Sequence, residues 1–241
     1  MKTLLILGSK PDPTLPPTGS FQDLACANAS GYSAAAHDLP RPVYTVMTPV
    51  IACDIESGRQ SLEALTGLST GTVYLLRRRS EGRRGFARLL HDLRTFRKKP
   101  LHRMQPFYLK RKLRTISYRH ERLLAIAPEE YDTLVETLCD QDPRVLAQLR
   151  RKRPSTGVIA LALAIDREEY DRYILSGFDF ELTHPYAKNP MIEQRGTAAS
   201  PHAETDRMVI AHLARRMGNI FTTEEAMHER AAVPFLPGWI R

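Results

Sequence analysis

The sequence predicts an α/β protein built on a mostly parallel sheet with helices on both faces. Three observations carry this. Short apolar runs bounded by turn residues alternate with stretches of helical spacing, the pattern of buried strands joined by crossover helices. Apolar residues make up 42% of the 241 residues, enough for one sizeable core. The segment Arg77–Arg122 stands apart, holding 17 of the 35 Lys and Arg residues. It reads as a basic helical insertion or lid on a sheet domain formed by residues 1–76 and 123–241.

Taken in order, Thr3–Leu7 is a buried first strand that runs into Gly8-Ser9-Lys10. Asp23–Ala27 and Val43–Met47 are the next strands, separated by a Gly-, Ala- and Ser-rich stretch around Asn28–Ala36. A helix near Ser57–Leu65 precedes a strand at Thr72–Leu76. In Arg83–Lys99, Phe86, Leu89, Leu90, Leu93 and Phe96 recur at helical spacing, and Pro100 ends the helix. A second basic amphipathic segment, about Arg103–Tyr118, carries Met104, Phe107, Leu109, Leu113 and Ile116. Both segments suit a membrane surface, or an ordinary helical subdomain packed on the body. Leu123–Ala127 reads as a strand, and Glu129–Asp140 and Arg144–Arg150 as helices. The wholly apolar Val158–Ile165 is a buried helix, and Tyr173–Leu175 a strand. A helix at Met208–Met217, a strand at Asn219–Phe221 and a helix start at Thr222-Thr223-Glu224-Glu225 complete the chain.

Composition bounds the setting. The N-terminal apolar run spans about five residues, too short for a signal-peptide core, and Val158–Ile165 is too short to cross a bilayer. Three cysteines, Cys26, Cys53 and Cys139, show no paired metal spacing, which points to a reduced, cytoplasmic compartment. The net charge of +8 seeks anions: nucleic acid, lipid headgroups or a phosphorylated substrate. A solvated helical face is the plainer account of the same charge.

The candidate chemistry gathers at element ends. Pro154-Ser155-Thr156-Gly157 opens the apolar helix, so Ser155 or Thr156 is expected to cap it. The N–H groups, the hydroxyls and Gly157, which admits a ligand closely, then form an anion site, with Arg153 adding a charge-assisted bond. A capped core helix without a ligand fits the same pattern. Ser176-Gly177-Phe178-Asp179 ends a strand where ligands of such sheets gather, and Asp179 either caps a turn or holds a substrate hydroxyl. His202, beside a helix start, suits proton abstraction from a hydroxyl, or is simply a cap or surface residue. His184-Pro185-Tyr186 offers a tyrosine hydroxyl to a phosphate. Asp140-Gln141-Asp142 has the form of a metal pair, but Pro143 makes Asp142 better explained as an N-cap, and no metal is expected. No P-loop, GxGxxG, HExxH or paired CxxC occurs.

Together and in this order, RPSTG at Arg153–Gly157, ILSGFDF at Ile174–Phe180 and HAETDRMVIAHLAR from His202 resemble the bacterial sialyltransferases of glycosyltransferase family 42. The animal sialyltransferases are similar more loosely. LLILGSKPD and ACANAS resemble the family's first strand–loop and its asparagine-bearing second strand end. The resemblance implies a Rossmann-like sheet with a smaller lid. It also implies inverting transfer of an acid sugar from its CMP ester to a hydroxyl of a cell-surface glycan or glycolipid, with CMP-sugar as substrate and no cofactor.

By position, the resemblance makes His202 the general base and places Asn28 on the CMP portion. Arg153, Ser155, Thr156 and Gly157 would line the donor site, along with Gly8, Ser9, Ser176, Gly177 and Asp179, while Tyr186 would touch the leaving phosphate. Departures from the family pattern are Gly8-Ser9-Lys10 in place of an asparagine turn, Thr48 in place of an asparagine, and Glu181 in place of a tyrosine. They leave the sugar open between sialic-acid-like and Kdo-like. An anionic membrane surface contacted through residues 77–122, peripheral to the inner membrane, and an oligomer complete the expected partners. Two alternatives remain: a catalytically weakened nucleotide-sugar-binding relative, and a basic nucleic-acid-binding protein whose affinity falls with salt.

Overall fold

A computed structural model of the chain describes residues 1–53, 55–77, 106–186 and 198–238. Seven strands form one sheet: β1 (Thr3–Leu7), β2 (Asp23–Ala27), β3 (Tyr44–Met47), β4 (Ser69–Leu76), β5 (Arg119–Ile126), β6 (Arg172–Ser176) and β7 (Ile220–Thr222). Their order is β5-β4-β3-β2-β1-β6-β7, and every neighbouring pair is parallel. The expected Rossmann-like α/β sheet is the one observed.

The apolar runs become strands because neither sheet face is left to water. All five residues of β1 are buried, and the alternation of a strand splits them between two cores. Leu4 and Ile6 join Ala25, Val46 and Tyr74 on one face, while Leu5 and Leu7 join Leu24 and Ile174 on the other. The first face is covered by helices α4 (Pro128–Leu138), α5 (Pro143–Arg151), α6 (Thr156–Asp166) and α7 (Ala203–Met217). The second is covered by α1 (Gly31–Ala36), α2 (Glu56–Ala64) and α3 (Pro106–Thr115). A last helix, α8 (Glu225–Ala231), packs Met227 and Ala231 beside α7.

α6 is the central helix, with Val158 through Ala162 fully excluded from solvent. Its alanines leave room for tyrosines on the sheet, whose buried hydroxyls donate to helix carbonyls: Tyr44 to Ala160 at 2.8 Å and Tyr173 to Ala164 at 3.3 Å. Asp142 caps α5, its carboxylate accepting from the Arg144 N–H at 2.8 Å, with Pro143 at the first helical position as expected.

Several elements differ from expectation. The Gly-, Ala- and Ser-rich stretch holds α1, a short helix with Ser33 and Ala34 buried. β4 begins at Ser69 and β5 at Arg119, both earlier than the apolar runs suggest. β5 is an edge strand whose Arg119, Glu121 and Arg122 face water, so its first half carries no apolar signal. α3 docks Leu109 and Leu113, both fully buried, beside Met47, Val73 and Leu75. Residues 106–122 are therefore built into the layers of the sheet domain. The expected helix Arg83–Lys99 lies outside the described residues.

The strand order reverses at β1, since β2 to β5 run away on one side and β6 and β7 on the other. In open parallel sheets the crevice beyond the carboxyl ends of the strands at such a point is where ligands bind. No helix among the described residues is long and apolar enough to cross a membrane.

Candidate active site

A cleft of about 420 Å³ opens at this switch point. Of the residues expected there, Gly8, Ser9, Asn28, Arg153, Ser155, Thr156, Gly157, Gly177, Asp179 and His202 line it. Its floor is the backbone contact between the exits of β1 and β6. The Gly8 N–H donates to Ser176 O at 2.8 Å, and a Cβ on Gly8 would lie 2.2 Å from the Gly177 carbonyl oxygen, so no side chain fits. Gly177 itself sits at φ +73°, a conformation suited to glycine.

The start of α6 forms one wall. Ser155 is the N-cap residue, yet neither it nor Thr156 caps the helix through its side chain, contrary to expectation. Other partners have taken these groups. The Ser155 N–H donates to the Asp206 carboxylate at 2.7 Å. Thr156 Oγ1 accepts from Asn28 Nδ2 at 3.2 Å. The first helical bond runs from Ile159 N–H to Ser155 O, so the N–H groups of Thr156, Gly157 and Val158 have no partner within the helix. N–H groups of this kind, with the positive end of the helix dipole behind them, suit an anion chemically. Gly157 serves packing, because a Cβ there would meet the Phe178 ring at 2.6 Å. The space expected for a closely approaching ligand holds this ring.

Asn28 links three elements. It adopts φ +53° at the end of β2, where its N–H donates to Val46 O at 2.8 Å. Its Oδ1 accepts from the Thr48 N–H at 3.0 Å, while Nδ2 reaches α6. The Thr48 backbone thus holds the Asn28 side chain in place.

His202 stands at the N-cap of α7, with its Nδ1 2.8 Å from the Arg153 carbonyl oxygen. A carbonyl only accepts, so Nδ1 carries the proton and Nε2 of the neutral ring carries the lone pair. The Arg153 guanidinium turns to the Tyr131 hydroxyl at 3.5 Å. Asp179 accepts from the Glu181 N–H at 3.0 Å, capping a turn, and burial raises its pKa above the ordinary carboxylate value.

Two expected residues do not reach the cleft wall. Ser176 is fully buried, its hydroxyl donating to Thr14 O at 2.8 Å. Tyr186 is held elsewhere, packed between Tyr32 and a stacked His184, with its hydroxyl 2.9 Å from Ser61 Oγ. His184 lines the cleft instead, and burial lowers its pKa below the usual histidine value.

Sequence reasoning missed Asp206 and Glu224. Asp206 sits one helical turn after His202, so the i, i+4 spacing on α7 was the available signal. Its side chain is buried, and this burial pushes its pKa up to about 7. The folded chain therefore keeps a proton that the unfolded chain releases near pH 4. The stability this site contributes is fully present below that pH and is lost as pH rises through 7. Substituting Asp206→Asn should raise the melting temperature relative to wild type more at pH 8 than at pH 5, as read by thermal denaturation across that range. No group of three or more His, Cys, Asp or Glu suited to a metal ion occurs among the described residues.

Fold and cleft together define a parallel Rossmann-like protein whose switch-point crevice pairs a helix N-terminus with an imidazole. Solved structures of similar fold include sialyltransferases of Campylobacter jejuni. A variant of the Campylobacter jejuni sialyltransferase CstII in complex with CMP matches 98% of this chain and 87% of its own, at 13% identity and a TM-score of 0.56. The monofunctional α-2,3-sialyltransferase Cst-I of Campylobacter jejuni matches 98% of this chain and 81% of its own, at 15% identity and a TM-score of 0.52. CstII in complex with a trisaccharide acceptor and CMP matches 98% and 86%, at 14% identity and a TM-score of 0.50. At these identities what is shared is the fold, and it spans nearly the whole chain. No family model matches the chain, and no curated protein matches it by sequence.

Proposed function

We propose that this protein is an inverting, CMP-sugar-dependent glycosyltransferase that moves a sialic-acid-like or Kdo-like acid sugar to a hydroxyl of a glycan or glycolipid. One observation carries the reading: the uncapped start of α6 and the His202 imidazole line a single cleft at the switch point. The same fold belongs to sialyltransferases solved with CMP and with a trisaccharide acceptor, which supports that choice of donor and acceptor.

The chemistry follows from the groups present. The donor phosphate docks on the N–H groups of Thr156, Gly157 and Val158, and Asn28 contacts the nucleotide. Gly8, Ser9, Gly177 and Asp179 flank the sugar, with Arg153 and Ser155 at the donor end. His202 Nε2 takes the acceptor hydroxyl proton as the oxygen attacks the anomeric carbon. The bond to the phosphate oxygen breaks on the opposite face, and CMP leaves with the charge held at the helix start. The leaving group is already a stabilised phosphate, so positioning, one base and fixed dipoles supply the catalysis. The basic segment at residues 77–122 supplies contact with an anionic lipid surface or a phosphorylated acceptor at the inner membrane face.

The test is a thermal-shift comparison of CMP, CDP, UDP and GDP, followed by CMP release from CMP-sialic acid and CMP-Kdo with an acceptor. CMP at about a hundred times its Kd should stabilise by about 2.7 kcal/mol, or about 5–10 °C for a chain of this size. Equal response to all four nucleotides, or tight salt-dependent nucleic-acid binding with no CMP response, would overturn the reading.

A further inference from the structure

The loop between α5 and α6 is stitched to the first turn of α7 at three successive points. Thr205 Oγ1 donates to Lys152 O at 3.1 Å and accepts from Gln148 Nε2 at 3.0 Å. His202 Nδ1 bonds Arg153 O at 2.8 Å, and Asp206 accepts the Ser155 N–H at 2.7 Å. The last two contacts flank Pro154, whose ring fixes φ and which has no N–H of its own. Side chains one turn apart on α7 therefore grip the peptide groups on either side of one rigid residue. Of the three contacts, only the Asp206 bond lies on the α6 side of that residue.

We propose that Asp206 is a positioning residue for the transfer reaction: by holding Ser155 it fixes the Arg153 carbonyl that keeps His202 in its Nδ1–H tautomer. The catalytic consequence rests on the glycosyltransferase reading, whereas the tautomer coupling stands apart from it. A histidine in water favours the Nε2–H form, which would put a proton where the base needs a lone pair. A carbonyl oxygen held on the δ side reverses that preference, and a hydrogen bond of this kind weakens steeply when its partner shifts or tilts. The contact at Lys152 cannot replace the Asp206 bond, because Lys152 lies on the other side of Arg153 from Ser155.

Long-range proton–nitrogen NMR on full-length protein labelled at histidine nitrogen reads the tautomer directly, with His202→Ala assigning the signal. Wild type should show His202 as Nδ1–H. Asp206→Ala should move it toward Nε2–H and lower kcat by about 10- to 100-fold, with the CMP-sugar KM changed less than about threefold. Asp206→Asn, whose amide oxygen still accepts from Ser155, should restore the tautomer and most of kcat. Ser155→Pro offers a second route if the alanine variant does not fold. Proline suits the φ of −70° there and removes the donated N–H, so the tautomer should shift again.

A wild-type tautomer and kcat in Asp206→Ala, or an Nε2–H form in the wild type, would overturn the assignment. So would an Asp206→Asn variant that behaves like the alanine one. If wild type transfers no sugar from any CMP donor, the transferase reading fails with its catalytic consequence, while the NMR result still decides whether Asp206 sets the His202 tautomer.

Discussion

Replacing His202 by alanine should lower sugar transfer by about 10²- to 10⁴-fold, the usual contribution of a positioned general base, while CMP still stabilises the fold. The split follows from geometry. The proposed donor contacts are the α6 N–H groups for the phosphate and Asn28 for the nucleotide, and Asn28 is held by Val46, Thr48 and Thr156 rather than by the imidazole. The proposed destination of the acceptor proton, in contrast, is His202 Nε2. A second histidine lines the same cleft, so the comparison must include His184→Ala. The His184 ring lies flat on Tyr186, with centroids 5.2 Å apart and an interplanar angle of 7°, and its loss should affect packing more than the chemical step. Rates of CMP release with saturating donor and acceptor, beside a CMP thermal shift for each variant, give both readouts. Full turnover in His202→Ala, or a larger loss in His184→Ala, would move the base assignment away from His202.

What the sequence made legible divides by distance along the chain. β1, β6 and α6 were readable because each is an apolar run whose ends carry turn or helix-start residues. The placing of Ser155, Thr156 and His202 near one another followed from the same signals, since each sits at an element end of a parallel sheet. The groups that bond them were not readable. Ser155 meets Asp206 across 51 residues, and Thr156 meets Asn28 across 128. Local pattern therefore predicted side-chain caps where long-range partners had taken the groups. Tyr186 shows the same limit, because its hydroxyl is claimed by Ser61, 125 residues earlier. The opening half of β5 failed for another reason. An edge strand with charged residues facing water lacks the apolar signature on which strand reading depends.

Glu224 offers the largest expected effect on stability. Its side chain is 3% exposed and accepts from four donors. These are Lys10 Nζ at 2.6 Å, the Thr14 N–H at 2.8 Å, the Thr14 hydroxyl at 3.2 Å and the Gly177 N–H at 2.8 Å. The carboxylate thus ties the loop after β1 to the exit of β6 beneath the cleft. In Glu224→Ala two backbone N–H groups lose their partner, that of Gly177 buried and that of Thr14 half-buried, at about 1–3 kcal/mol each with the Thr14 loss at the lower end. Lys10 loses its counter-charge as well, though at 31% exposure water takes up part of that loss. The terms are not additive, and about 4 kcal/mol is expected, lowering the melting temperature by about 10 °C for a chain of this length. Glu224→Gln keeps an acceptor oxygen and should fall between the two. Because Gly177 lines the cleft, the alanine variant should also raise the donor KM. A melting temperature within about 2 °C of wild type would show that the β1 loop and the β6 exit are held by their backbone contact alone.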